Sequence, residues 1–590
     1  MKKRWTYKDA GNPSIVEGLM SSLGIDRVLA TLLVQRGIET YEQAEKFFRP
    51  KLEHLYDPFL MKDMSEAVAR IDKAILANEK ILIYGDYDVD GTTAVSLVYS
   101  FLRKIYPNIA NYIPDRYSEG YGVSIIGIDY AAEHGFSLVI ALDCGIKAVE
   151  KIEYAKSKGI DFIICDHHLP GDVIPKAVAV LDPKQPSCNY PFKELSGCGV
   201  GFKLMQGYCI TKGIPLTELY PLLDLVAVSI ASDIVPVTDE NRILAHFGLK
   251  QLNESPGRGL RAIIKLAGIE KHNIAIDDIV FRIGPRINAA GRMESGKSAV
   301  DLLCAQDDSV AYEMGSVINS CNNDRKSVDR VITLEALSTV AIDSDLQNRY
   351  STVLFNPEWH KGVVGIVASR LIETYFRPTV VLTESNGFAT GSARSVPGFD
   401  LYQAVEACSD LLETFGGHMY AAGLTMKVEN VPLFKERFEK FVSENIKPEM
   451  LTPQIDIDSK INFGDINDKF FRILKQFQPF GPGNMAPVFV TENVYDTGDS
   501  RLVGNDKEHL KLTLIQEDNP KVFQGIAFQM SSHFNGIQKG TSFSVCYSIT
   551  ENIYRGESSI QLRVKDIQYF DDIINELSNE IDDSREVKVE

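Results

Sequence analysis

Lys80-Ile-Leu-Ile-Tyr84 runs directly into Gly85-Asp-Tyr-Asp-Val-Asp-Gly91-Thr-Thr93, and this stretch decides the fold. A short apolar run that stops at a Gly/Asp cluster, with helical patterning from Thr93 to Ile105, reads as a strand, a tight loop and a helix. The same grammar recurs. Ser137-Leu-Val-Ile-Ala-Leu142 stops at Asp143-Cys-Gly145, Asp161-Phe-Ile-Ile-Cys165 stops at Asp166, and Ala177-Val-Ala-Val-Leu181 is a fourth such run. Continuous apolar strands alternating with helices predict an α/β fold with a parallel sheet covered on both faces.

Working outward, residues 1–75 read as short helices with a turn at Arg36-Gly37, and 76–308 as the parallel-sheet domain. Residues 309–345 hold one Gly and no Pro and keep a helical period, which predicts a long connecting helix. A second α/β domain is expected over 346–447, with strands at Thr352-Val-Leu-Phe355 and Thr379-Val-Val-Leu382. From 448 to 570 short alternating runs such as His509-Leu-Lys-Leu-Thr-Leu514, with one helix near Asp468 to Gln476, predict a small β-barrel of the OB kind. Residues 571–590 form an acidic tail of eight acids and two bases, a net −6.

The 590 residues exceed one hydrophobic core, so several domains are required. Nine scattered cysteines form no Cys-x-x-Cys pair, which argues against a disulfide framework and a thiolate zinc site and fits a reduced cytoplasm. No run approaches a membrane span, and the basic start lacks an apolar stretch behind it, so a cytoplasmic protein without a membrane is expected. The net charge of −18 speaks against a generally basic nucleic-acid surface, but carboxylates that hold metal would add to it without repelling phosphate.

Asp86, Asp88 and Asp90 alternate, so an extended backbone would aim them to one side. A calcium loop is excluded, because its twelfth position is Leu97 rather than Glu and a strand precedes it. Asp143 and Asp166-His167-His168 follow directly on apolar strands, and ligands collect beyond the carboxyl ends of such strands. Asp233, in Ser229-Ile-Ala-Ser-Asp-Ile-Val-Pro236, is a further acid in apolar surroundings; taken alone it reads as a helix-end residue. Oxygen and imidazole donors select manganese or magnesium, with cobalt or zinc as alternatives. The acids are too many for one ion, which points to two cations and phosphoester or phosphoanhydride hydrolysis.

These residues resemble the DHH phosphoesterase superfamily: Gly85 to Gly91, Asp143, Asp166-His-His168 and Asp233 occur in its motif order. Gly416-Gly-His-Met-Tyr-Ala-Ala-Gly423 resembles the motif of the DHH-associated domain. Gly284-Pro-Arg-Ile-Asn-Ala-Ala-Gly-Arg292, Trp359-His-Lys-Gly-Val-Val-Gly365, Gly391-Ser-Ala-Arg-Ser395 and Gln478-Pro-Phe-Gly-Pro-Gly-Asn484 resemble the RecJ branch. The resemblance implies a single-stranded-DNA-specific 5′ to 3′ exonuclease of DNA recombination and repair that releases 5′-mononucleotides with two manganese or magnesium ions. It implies Asp88, Asp90, Asp143, His167 and Asp233 as metal ligands. Asp86 is either a ligand or orients one, and His168 either binds metal or touches the scissile phosphate. Arg116, Arg286, Asn288, Arg292, Ser392, Arg394, Gly417 and His418 are the implied substrate-binding residues, with Ser392 and Arg394 in a 5′-phosphate pocket. Implied partners are single-stranded DNA, a single-strand-binding protein and a RecQ-type helicase, with a monomeric state. The alternatives are a phosphatase acting on short oligonucleotides and an inactive replication-associated homologue. Two departures stand out: Ser229 begins a segment that usually reads Gly-Thr-Val-Ala-Asp, and Asp182-Pro183 replaces Asn-Pro.

Overall fold

A computed structural model describes residues 2–269, 273–293, 295–554 and 556–569. The acidic tail predicted for 571–590 lies outside the described residues. The chain divides into two compact units, one from Lys51 to Thr452 and one joining the residues up to Pro50 with those from Pro453 onward.

The first unit is built on a parallel sheet: β1 (Lys80–Gly85), β2 (Ile109–Tyr112), β3 (Phe136–Leu142), β4 (Asp161–Cys165) and β5 (Ala179–Leu181), in the order β2-β1-β3-β4-β5. The edge strand β2 carries Asn and Tyr and gave no apolar run to read. Alternate residues separate cleanly between the faces. Ile81, Ile83, Leu138, Ile140 and Ile163 join one core with α1 (Val89–Arg103) and α2 (Gly197–Lys212), while Leu82, Tyr84, Val139, Ala141, Phe162 and Ile164 join the other. Burial on both faces is what a parallel sheet requires, and the apolar runs supply it.

Register matters most for function. Gly85 pairs with Leu142, Leu142 with Cys165, and Cys165 with Leu181. Four strands therefore end in step, and the next residues, Asp86, Asp143, Asp166 and Asp182, all follow at one edge of the sheet. The loop after β1 is shorter than the sequence suggests. Asp88 is the N-cap of α1 and Asp90 lies in its first turn, so the three acids are not an extended row. Asp88 accepts from Gly91 N at 3.0 Å, and a carboxylate at a helix N-terminus is the favoured cap.

Around this core lie α3 (Leu223–Ser232), which ends at Asp233, and α4 (Gly284–Met293). The long helix α5 (Asp308–Ile342) matches the predicted connector. Next come β6 (Thr352–Phe355), α6 (Val364–Tyr375), β7 (Thr379–Ser385), β8 (Phe388–Arg394), β9 (Leu412–His418) and β10 (Ala421–Lys427). They form a mixed sheet in the order β9-β10-β8-β7-β6 with β6 and β7 parallel.

The second unit holds the barrel. Its strands are β11 (Ser459–Lys460), β12 (Phe489–Asp496), β13 (Arg501–Val503), β14 (His509–Gln516), β15 (Asn519–Ala527), β16 (Phe543–Tyr554) and β17 (Glu557–Tyr569). The order is β11-β12-β16-β17-β15-β14-β13, and β12 also pairs with β14, which closes it. The helices Pro13–Leu23, Arg27–Val34 and Tyr41–Phe48 share this unit's core: Leu19, Leu29 and Leu33 belong to the same cluster as Phe470 and Phe477. Arg4–Tyr7 forms a strand parallel to Gln454–Ile457. The first 75 residues, read as one helical segment, thus divide between the two units; the helix Met64–Leu76 packs on the parallel-sheet core instead. Pairing across hundreds of residues leaves no local sequence signal.

Ile140 is fully buried at the centre of the sheet whose register sets the carboxylate edge. Ile140→Ala is expected to destabilise the first unit by about 2–5 kcal/mol. Urea denaturation followed by circular dichroism measures it, and a change below about 0.5 kcal/mol would contradict this packing.

Candidate metal centre

His167 is the hub of the edge. The residue is 5% exposed, and Nε2 lies 3.2 Å from Asp143 Oδ1, 3.5 Å from Asp233 Oδ2 and 3.7 Å from Asp90 Oδ2. Two donor groups capable of holding an ion overlap there, Asp143 with His167 and His168, and Asp90 with His167 and Asp233. The sequence-predicted ligands are thus brought together from the start of α1, the residues after β3 and β4, and the end of α3. Asp88 acts electrostatically on both Asp143 and Asp233.

Each acid is placed by a specific local device. Asp143 sits at φ 58°, a left-handed conformation rare for a non-glycine residue, and its N–H still donates to Cys165 O at 2.8 Å. Gly197, at the start of α2, passes so close that a Cβ there would lie 2.7 Å from Asp143 Oδ1. Asp90 receives hydrogen bonds from Gly197 N at 2.7 Å, Cys198 N at 2.8 Å and Ser229 Oγ at 2.7 Å. The N-terminus of α2 is therefore the cradle of one carboxylate, and Ser229, where the sequence departs from the expected segment, contributes a hydroxyl. Gly197 carries no motif singled out in the sequence, and Ser229 stands there only as a departure from the expected segment. The run Gly197-Cys-Gly-Val-Gly201 was the available signal.

Asp166 does a different job. Its Oδ2 accepts from Ile146 N at 2.9 Å, and its Oδ1 accepts from His167 N at 2.8 Å and pairs with His168 Nδ1 at 2.7 Å. Burial opposes ionisation of Asp166, but the His168 contact and charge outweigh it and bring the carboxyl down to about 2. Burial likewise disfavours charge on His168, yet Asp166 raises its imidazolium to about 9. His168 Nε2 meets the Tyr121 hydroxyl at 3.1 Å. His168 thus carries a proton at neutral pH, whereas burial holds His167 below its ordinary value and keeps it neutral.

The other acids are frustrated. Burial, and then the neighbouring carboxylates, push Asp86, Asp88 and Asp143 above the ordinary range, and Asp233 up to about 8. Among the described residues, Asp86 Oδ2, Asp143 Oδ1 and both ring nitrogens of His167 are buried with no hydrogen-bond partner. Asp86 Oδ1 accepts from Gly122 N at 3.3 Å. Orphaned, mutually repelling donors around a neutral imidazole fit divalent cations, since only cations satisfy all of them together. Asp182 is fully buried and pushed up by burial to about 7. Its Oδ1 accepts from Lys184 N at 2.7 Å.

The predicted substrate residues gather beside this centre. The Arg292 guanidinium donates to Gly362 O at 3.0 Å. It is pushed down to about 10 by burial, then by the charges of Arg116, Arg325 and Arg394, with Asp88 opposing. Arg116 lies over the Tyr87 ring at 5.1 Å. Arg394 Nη1 donates to Ser392 Oγ at 2.7 Å, and both face the first turn of α6 at Gly365. His418 is lowered by burial and by the Arg394 charge. Gly417 lies at φ 153° in the β9–β10 hairpin, against Ala422. Arg286 is set apart from this group, bonded through Nε to Asn319 Oδ1 at 2.9 Å, and Asn288 is half-buried on α4.

Comparison with known proteins matches three stretches of the chain. Residues 80–230 match the model of the DHH family, N-terminal domain, 348–444 that of the DHHA1 domain, and 457–566 that of the RecJ OB domain. The chain is 38% identical over 568 residues to the single-stranded-DNA-specific exonuclease RecJ of Bacillus subtilis (strain 168), covering 96% of this chain and 71% of that one. It is 30% identical to the Escherichia coli (strain K12) protein of the same name, covering 92% and 95%. Among solved structures it resembles RecJ from Thermus thermophilus in complex with Mn2+, with a TM-score of 0.82 at 25% identity over 96% of this chain and 79% of that one.

With Asp233 at about 8, against an ordinary carboxyl near 4, the folded chain binds more protons than the unfolded chain between those values. The metal-free protein is therefore expected to lose thermal stability as pH rises from 5 to 8. Manganese should raise the melting temperature far more at pH 8 than at pH 5, contributing about 2.7 kcal/mol at a hundredfold excess over its dissociation constant. Asp143→Asn should melt higher than the parent without metal at pH 8 and lose most of the manganese response. An equal manganese response at both pH values would contradict the arrangement.

Proposed function

This chain belongs to the RecJ family of single-stranded-DNA-specific exonucleases, and on that premise we propose that it removes 5′-mononucleotides successively from the 5′ end of single-stranded DNA. It is a metal-dependent phosphodiesterase that takes manganese or magnesium. The observation that carries the reading is the buried set of orphaned donors around His167, bordered on one side by a group of arginines.

In this reading Asp88, Asp90, Asp143, His167 and Asp233 hold two divalent cations, and Asp86 orients the loop through Gly122. When bound, the cations supply Lewis acidity toward the phosphoryl oxygens and an activated nucleophile at neutral pH. The chain's own residues do the rest. His168, protonated and fixed by Asp166, presents a positive charge beside the ligands to stabilise charge developing on the scissile phosphate. Arg394 and Ser392, at the first turn of α6, hold the terminal 5′-phosphate, since a helix N-terminus and a guanidinium fork both suit a phosphate dianion. Arg116, Arg292, Gly417 and His418 line the approach. Arg286 and Asn288 contact the strand farther along α4.

The barrel extends the grip on longer strands through stacking and charge. Its aromatic residues divide between core and surface. Phe489, Phe523 and Tyr547 belong to the barrel core, whereas Phe528 is exposed, with Arg563 5.7 Å over its ring. Among the described residues no helix is long and apolar enough to cross a membrane. A cytoplasmic, monomeric enzyme working with a single-strand-binding protein and a RecQ-type helicase in recombination and repair completes the proposal.

An end-labelled assay tests it. With manganese, a 5′-labelled single strand should release labelled mononucleotide at the earliest times, while a 3′ label stays in long products; early loss of the 3′ label would overturn the polarity. Asp143→Ala should lower kcat by at least about a thousandfold, the scale on which loss of a catalytic electrostatic element is felt. Arg394→Gln should reduce the preference for 5′-phosphorylated over 5′-hydroxyl DNA by about tenfold or more.

A further inference from the structure

Two side chains of α5, Asn322 and Arg325, have no assigned role in the account above. Asn322 is fully buried, yet among the described residues its amide Nδ2 has no hydrogen-bond partner. Arg325, one turn on, buries its Nε in the same state. The two touch, with Arg325 Nη2 donating to Asn322 Oδ1 at 3.2 Å, so the orphaned groups are both N–H donors. Buried donors without an acceptor are costly, and two side by side on one helix face call for an anion.

Their place on α5 says which anion. Asn319, Asn322, Arg325 and Asp329 recur at intervals of three or four and share one face of the helix. At one end Asn319 Oδ1 accepts from Arg286 of α4 at 2.9 Å. At the other, Asp329 Oδ2 accepts from Arg370 of α6 at 2.8 Å. Asn322 and Arg325 therefore lie between the helix that carries Arg292 and the helix whose first turn faces Ser392 and Arg394. The carboxylate acting on Arg325 is that of Asp329, and it is already engaged by Arg370 and by Thr333 Oγ1 at 3.3 Å. Positive charge accumulates at the junction: Arg325 adds to Arg116 and Arg394 in acting on Arg292.

We infer that Asn322 and Arg325, with Arg292 on the facing helix, form a phosphate site for the bound DNA strand at the junction of the catalytic and DHH-associated domains. The inference rests on the exonuclease reading and adds two residues to it. The phosphate is either the 5′-terminal one or the next along the strand, and the two differ in charge and in dependence on the 5′ group.

Steady-state kinetics of the full-length protein with manganese decide it, using one oligodeoxynucleotide in 5′-phosphorylated and 5′-hydroxyl forms. Arg325→Gln should raise KM by about tenfold, with kcat within about twofold. The slope of log KM against log salt should fall by about 0.7. Asn322→Asp places an acid among arginines, so it should raise the melting temperature of the metal-free protein and yet raise KM. A merely structural pair would not separate those two readouts. A KM effect confined to the phosphorylated strand assigns the terminal phosphate, and an equal effect on both strands assigns the internal one. If both variants melt as folded proteins and leave KM and the salt slope unchanged on both substrates, the inference is wrong. If Arg325→Gln does not fold, Asn322→Asp alone decides. Failure of the parent protein to degrade either strand would sink the exonuclease reading itself, and the site with it.

Discussion

Mutual repulsion among buried and half-buried carboxylates is the constraint on which the rest of this structure depends. Asp86, Asp88, Asp143 and Asp233 are each held above the ordinary carboxylate range by burial and then by neighbouring carboxylates, Asp88 for Asp86 and Asp90 foremost for the other three. A fold tolerates this only where the scaffold fixes the acids so firmly that they cannot separate. The in-step ends of four parallel strands do so, along with the left-handed backbone at Asp143 and the start of α2 against Asp90. The stored electrostatic cost is recovered when cations bind, so folding, pH and metal affinity are one linked quantity here.

The two adjacent histidines show how environment divides labour between identical side chains. His167 is buried among carboxylates, among the described residues neither ring nitrogen has a hydrogen-bond partner, and it stays neutral, which suits a metal ligand. His168 is tied to Asp166 and keeps its proton to about pH 9, which suits a contact to an anion. Asp166 is the acid of this edge whose pKa falls, because it is given donors rather than acidic neighbours. The positive side of the cleft mirrors this arrangement. Arginines crowd around Arg292, with Asp88 the acid that opposes them, so a cluster of acids and a group of arginines lie side by side.

Much of this was legible in the sequence, for physical reasons. Apolar runs ending in Asp reported both the sheet and its functional edge, because a doubly covered strand must be apolar and its exit must be polar. The long helix was legible from an unbroken period without Pro. What escaped were features set by packing at a distance. Asp88 and Asp90 were read as extended, whereas Asp88 caps α1 and Asp90 sits in its first turn, since capping by Asp overrides the alternation. The hydroxyl of Ser229 on Asp90, the phenol of Tyr121 on His168 and the strand pairing of Arg4–Tyr7 with Gln454–Ile457 join segments with no local signature of each other. Asn322 and Arg325 belong to no motif in the sequence, and only the burial of their amide and Nε donors marks them out.

The central claim is that the acids converging on His167 are a binding site for two divalent cations. Anomalous scattering at the manganese edge from crystals grown with manganese tests it directly. The account predicts two peaks about 3.5–4 Å apart, one within ligand distance of His167 Nε2 and both bounded by Asp88, Asp90, Asp143 and Asp233. No peak at this edge of the sheet, or manganese bound only at exposed surface acids with Asp143 and His167 untouched, would contradict it.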